Sequence, residues 1–236
     1  MQHRRCLIVI KKKMMIVKKN FYNTENFVTG KRRYIDYLNY RLVCRKLIKM
    51  PEADDLIINL KENLDILCGD LNLVLVNTSS DYTLIRRIRN FIEDNLLKNK
   101  YDYIIIDCPP TLTIYTDSAL MASDCYLIPN RIDKYSIVGI DSLQQAVGNL
   151  IREERIDLKC IGLVYTMVKA SAKQEKLRIS FESKKAVNDI DIFAAKASVV
   201  NNLTYGSSGP IPTKYKQSRE DIEAISVELL KRLEDI

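Results

Sequence analysis

In the stretch YDYIIIDCPPTL, residues 101–112, three isoleucines run into an aspartate, a cysteine and two prolines. A carboxylate placed there has a chemical use. Open parallel α/β sheets hold their ligands beyond the carboxyl ends of the strands, where a buried strand leaves the core. Asp107 at such an end could order the hydration shell of a magnesium ion, which keeps several waters and takes few protein ligands. Pro109 and Pro110 fix φ and stop the strand, so the loop leaves in one stiff direction and could respond to a terminal phosphate. An equally simple reading has Asp107 capping the next helix or turn.

The elements needed to position this aspartate can be read from the hydrophobic period. YDYIIID is a short apolar run with polar ends, as in a strand covered on both faces. CYLIP and KCIGLVYT read as further strands, IDIFA as a weaker one, and LDILCGDLNLVLV as one or two short extended runs. CLIVI near the start could be another. Between them, Leu84, Ile85, Ile88, Phe91, Ile92 and Leu96 recur at helical steps, as do Ile137, Ile140, Leu143, Val147 and Leu150. TIYTDSALMAS reads as helix, and YIDYLNYRLVCRKLIKM as a helix stopped by Pro51. Ile222, Ile225, Leu229, Leu230, Leu233 and Ile236 form a terminal helical stripe. Strands alternating with helices imply an α/β fold, a parallel sheet flanked by helices on both faces.

Composition narrows the class. The chain has 236 residues, 47% hydrophobic and 28% charged, which suits one large globular domain. No apolar run approaches bilayer length, and CLIVI is too short for a signal-peptide core, so a cytoplasmic protein is expected. Six cysteines lie far apart without a CxxC pair, and His3 is the single histidine, which argues against a zinc site or a disulfide framework. The net charge of +7 is uneven: residues 1–33 hold ten Lys/Arg against Glu25 alone, whereas the rest is slightly acidic. The expected organisation is a basic, atypical segment over 1–33 and an α/β domain over 34–236.

YDYIIIDCPPTL followed by DSALMASDCYLIPNRIDKYSIVGIDSL resembles the ParA/Soj partition ATPases, relatives of MinD, which typically read YDYIIIDTPPSL and then NALVAADEVLIPVQPEYYALEGLSQL. Asp107, Pro109, Pro110, Ala119, Asp124, Pro129, Tyr135 and Gly139 are among the matching positions. The likeness continues into KCIGLVYTM and SGPIPTKYKQSR, and upstream into NLDIL, covering about Tyr34 to the C-terminus. It implies a P-loop NTPase-like fold of the deviant Walker type that binds ATP or ADP with Mg2+. By resemblance Asp107 is the Walker B aspartate, the catalytic residue that holds magnesium through water. Pro109 and Pro110 belong to a loop that responds to the γ-phosphate. Thr166 and Met167 fall near the base pocket, and Gly209, Pro210 and Ile211 on a loop bordering it. Each also has a plain alternative: Thr166 ends a strand, Met167 packs in a core, and Gly-Pro makes a turn.

Relatives open with KGGVGKT, whose backbone amides cradle phosphate. None of the seven glycines here builds GxxxxGK[ST]; the Gly30-Lys31 pair is followed by Arg32 and Arg33. The DxDPQ landmark is absent too, with Lys11 onward where its acids would stand. The sheet is therefore expected to be incomplete at its N-terminal side, with a centre left unpaired. Truncation, divergence or a partner that supplies the missing part would each account for this.

The resemblance implies a partition or positioning protein for plasmid or chromosome, dimerising on ATP, binding DNA non-specifically and working with a ParB-like partner. The absent phosphate loop argues against hydrolysis by this chain alone. The alternative is a non-catalytic regulator that binds DNA or a partner. A membrane role is disfavoured because the terminal helix is rich in acids and its apolar stripe suits core packing better than lipid.

Overall fold

A computed structural model of the chain describes residues 14–18, 53–68, 84–108, 112–133, 136–184, 187, 189–205 and 211–236. They divide into two compact units, residues 1–124 with 152–158, and residues 125–151 with 159–236.

The first unit is built on a four-stranded sheet of order β2-β3-β1-β4, with β1 Met14–Lys18, β2 Ile57–Lys61, β3 Leu64–Cys68 and β4 Tyr103–Ile106. β1 runs parallel to both neighbours, pairing Ile16 with Ile66 on one side and with Ile105 on the other. β2 is antiparallel to β3, joined by a two-residue turn in which Asn63 takes a φ of 60°. Asparagine tolerates that left-handed backbone better than most residues. The strand at 14–18 is a finding that the sequence reading did not contain, and it corrects the expected unpaired centre, because β1 bonds β3 on one side and β4 on the other. MMIVK is short and set among lysines, so its pattern alone does not mark a strand. CLIVI, the helix expected over 34–50 and the LNLVLV run all lie outside the described residues.

Among the described residues, four short helices accompany this sheet: α1 Ala53–Leu56, α2 Arg87–Asp94, α3 Leu97–Lys100 and α4 Ile114–Ala122. α2 packs against α4. Leu56, Leu67, Phe91, Ile92, Leu97, Tyr101 and Ile104 are buried together at the centre of the unit. Each such aliphatic or aromatic side chain contributes about 1.5–3 kcal/mol by leaving water. The α2 stripe is buried as expected at Leu84, Ile85, Ile88, Phe91 and Ile92, yet Leu96 is 66% exposed. The helix stops first. Asn95 turns its side-chain amide back to the Phe91 carbonyl at 2.8 Å, and Leu96 then adopts a φ of 51°. The turn hands the buried place to Leu97, which opens α3.

The second unit holds two parallel strands, β5 Cys125–Arg131 and β6 Lys159–Thr166. Helices α5 Ser136–Glu154, α6 Ala172–Glu182, α7 Asn202–Tyr205 and α8 Lys216–Glu234 complete the order, the last turn of α5 belonging to the first unit. Ile128, Ile140, Leu163, Tyr165, Phe181 and Val187 form its apolar centre. IDIFA, read as a weak strand, makes only one isolated parallel bridge, Leu163 with Ile192; a second bridge, Val168 with Ser198, lies beyond it. Its ladder is interrupted because the Ala194 and Ala195 amides donate instead to the Glu228 carboxylate on α8, at 3.1 and 2.9 Å. Burial alone would raise the Glu228 carboxyl, but those two amides and Arg232 outweigh it and hold it below its ordinary range. Arg232 in turn lies 4.1 Å over the Phe193 ring and donates to the Ile161 and Ile192 carbonyls, each at 2.9 Å.

Candidate nucleotide site

β4 closes the described strand order, bonded to β1 alone, with Ile104 sealed at 3% exposure while Ile105 and Ile106 are half-buried. The next residue, Asp107, is exposed. Its carboxylate therefore stands in solvent directly beyond the carboxyl end of a strand that is paired in parallel with β1, Val17 facing Ile106. The adjoining Cys108 thiol lies 3.9 Å from the Ile106 carbonyl. Packing around the sulfur, and then the Asp107 charge beside it, push the thiol up to about 11. Pro109 and Pro110 lie outside the described residues. The chain returns at Leu112, half exposed, and enters α4 through an extended Thr113. The buried Oγ1 of Thr113 has no hydrogen-bond partner among the described residues.

An exposed single carboxylate fits a hydrated magnesium ion, which takes one or two protein oxygens and fills its remaining positions with water and phosphate. Asp107 would hold the ion, and the ion would neutralise phosphate charge. Among the described residues no group of three or more His, Cys, Asp or Glu side chains comes together as a metal cage.

The other sequence-derived residues lie in the second unit. Thr166 ends β6, and its hydroxyl donates to the Asn130 carbonyl across the strand pair at 3.3 Å. Met167 follows, 50% exposed and with a φ of 53°. Ile211 is exposed and precedes a 3-10 turn, Pro212–Lys214; Gly209 and Pro210 lie outside the described residues. The structure thus joins Thr166 to Met167 at one strand end.

One nearby residue was missed by the sequence reading. Asn130, 9% exposed, shares its strand face with the buried Ile128 and Ile132, and its Nδ2 has no hydrogen-bond partner among the described residues. The signal was present in LIPN, where the family text reads LIPV.

A family model described as an AAA domain matches residues 7–160. The chain belongs to that family. Its relatives include proteins named Soj and ParA, the ParA/Soj family that the sequence resembles. The sporulation initiation inhibitor protein Soj of Bacillus subtilis (strain 168) is 35% identical over 109 residues, 46% of this chain and 43% of Soj. The chromosome partitioning protein ParA of Myxococcus xanthus (strain DK1622) is 40% identical over 76 residues, 32% of this chain and 27% of that protein. The matched stretch is thus less than half the length of either relative. Among solved structures, a Cyanothece McdA complex with ATP superposes with a TM-score of 0.73 at 14% identity, over 94% of this chain and 85% of that one. This likeness establishes the fold, P-loop NTPase-like and α/β, as expected for a ParA-family chain.

Proposed function

We propose that this ParA-family chain serves plasmid or chromosome partitioning, binding ATP or ADP with magnesium but not hydrolysing it unaided. The observation that carries the reading is Asp107, exposed at the end of a strand that lies in a parallel pairing. In this reading Asp107 meets hydrated magnesium, Pro109 and Pro110 relay the state of the terminal phosphate, and Thr166, Met167, Pro210 and Ile211 surround the base. Catalysis in such a site is electrostatic, a matter of clamping phosphate and orienting water. A glycine-rich phosphate cradle is needed for that, and GxxxxGK[ST] does not occur in these 236 residues. Hydrolysis therefore depends on a cradle from elsewhere.

The partners that fit are a ParB-like protein, non-specific DNA and a second copy of the chain, in the cytoplasm at the nucleoid. The ten Lys/Arg of residues 1–33 would add a DNA affinity that falls steeply with salt. Among the described residues no helix is long and apolar enough to cross a membrane.

The second reading, a non-catalytic regulator, is favoured by the same missing glycine motif. Calorimetric titration with ATP and magnesium separates the two. Magnesium-dependent binding supports the nucleotide reading, and no heat at millimolar ATP supports the regulator.

A further inference from the structure

Met167 holds a φ of 53°, a backbone region that residues with a Cβ rarely enter. Such a conformation persists only where its surroundings over-determine it. The next residue, Val168, is stitched on both sides to the 197–199 stretch. Its N–H donates to the Ala197 carbonyl at 3.0 Å, and its carbonyl accepts from the Val199 N–H at 2.9 Å. Between those bonds lies Ser198, paired with Val168 in a parallel bridge. The Ser198 N–H donates at 2.7 Å to Oδ2 of Asp221 on α8, while Oδ1 of the same carboxylate accepts from Gln217 Nε2 at 2.9 Å. Asp221 and Glu228 stand two turns apart on α8, and both carboxylates receive amides of the 194–198 segment.

We propose that Asp221 is a positioning residue for Met167. Acting through Ser198 and Val168, it holds the turn after β6 in its left-handed form and so fixes the side of the base pocket that Met167 provides. The clamp stands on the hydrogen bonds alone, whereas its effect on ligand rests on the nucleotide reading above. An amide bonded to a carboxylate is stronger than one bonded to a neutral oxygen, which suits a residue that must restrain a strained neighbour at two removes.

The test uses the full chain as wild type, Asp221→Ala, Asp221→Asn, Met167→Gly and the Asp221→Ala/Met167→Gly pair. In Asp221→Ala the Val168 amide is expected to exchange about tenfold faster or more, with the Leu163 amide unchanged. Asp221→Asn keeps an acceptor oxygen and recovers most of the protection. Glycine takes a positive φ at no cost, so in the Met167→Gly background the same alanine change speeds Val168 exchange less than about threefold. Affinity for ATP with magnesium falls about tenfold in Asp221→Ala, while affinity for inorganic tripolyphosphate, which has no base, stays level. Unchanged Val168 exchange in Asp221→Ala, an equal effect in both backgrounds, or equal losses for ATP and tripolyphosphate would overturn the proposal. Wild-type protein that binds neither probe would defeat the nucleotide reading, and the exchange results would still decide the clamp.

Discussion

The hydroxyl of Tyr101 donates a 2.6 Å hydrogen bond to Oδ2 of Asp65, tying the residue that leads into β4 to β3, two places along the sheet. Asn59 of β2 donates to the other carboxylate oxygen at 2.7 Å. Tyr101 and Asp65 are buried, at 1% and 3% exposure, so this polar link sits inside the unit whose β4 leads to Asp107. Burial, and then the Asp65 hydrogen bond, push the Tyr101 phenol well above its ordinary range. The phenol therefore stays a neutral donor. Tyr101→Phe keeps the ring and removes one bond to a buried carboxylate, a loss of about 1–3 kcal/mol. Urea unfolding should show a lower midpoint with an unchanged slope, and an unchanged midpoint would mean the bond contributes nothing.

Gly162 has a φ of 140°, and a Cβ built there would lie 2.3 Å from the Asp191 carbonyl oxygen and 2.6 Å from Nη1 of Arg232. Glycine is required at this close approach of β6 to the 191–193 segment. Gly162→Ala should cost about 2 kcal/mol or more, combining steric overlap with an unfavourable φ. Thermal unfolding of the variant reads the loss directly, and a variant as stable as the parent would contradict the packing.

The Cys108 thiol, raised to about 11 from an ordinary 9.0, should remain protonated at neutral pH and react slowly. Site-resolved iodoacetamide labelling against pH is expected to reach half its maximal rate near pH 11. Neutralising the neighbour in Asp107→Asn removes a charge that opposes the thiolate, so the midpoint should move down. It should not reach 9.0, because packing is the larger cause. A midpoint already at 9.0 in the parent protein would contradict this environment.

The basic residues 1–33 invite deletion as a test of DNA binding, but β1 lies within them at 14–18, between β3 and β4. Removing 1–33 takes away the strand that bonds both neighbours, and the first unit is expected to lose cooperative unfolding. Removing 1–13 spares β1 while deleting five Lys/Arg. That shorter variant is expected to fold and to lose salt-sensitive DNA affinity in a mobility assay. Equal folding of both truncations would contradict the strand order.

What the sequence revealed was local. YIIID, KCIGLVYT and the terminal helix are marked within a few residues, and Asp107 stands out as a candidate because a carboxylate breaks an apolar run. What it hid depended on distant partners. The strand does not continue past IDIFA because the amides of Ala194 and of Ala195 just after it are taken by Glu228, more than thirty residues downstream. Leu96 and Leu97 exchange burial because one asparagine ends a helix. The bond between Asp65 and Tyr101 spans 36 positions, and nothing in either motif marks it. Met167 was visible only through resemblance, and its left-handed turn depends on a helix fifty residues later.

The central claim is that Asp107 meets magnesium-bound nucleotide. Calorimetric titration of the full chain with ATP, with and without magnesium, alongside Asp107→Ala, tests it most directly. Binding that needs magnesium in the parent, and that weakens about tenfold or more in the variant while the fold is kept, is the expected result. Equal affinity in parent and variant, or binding indifferent to magnesium, would contradict it.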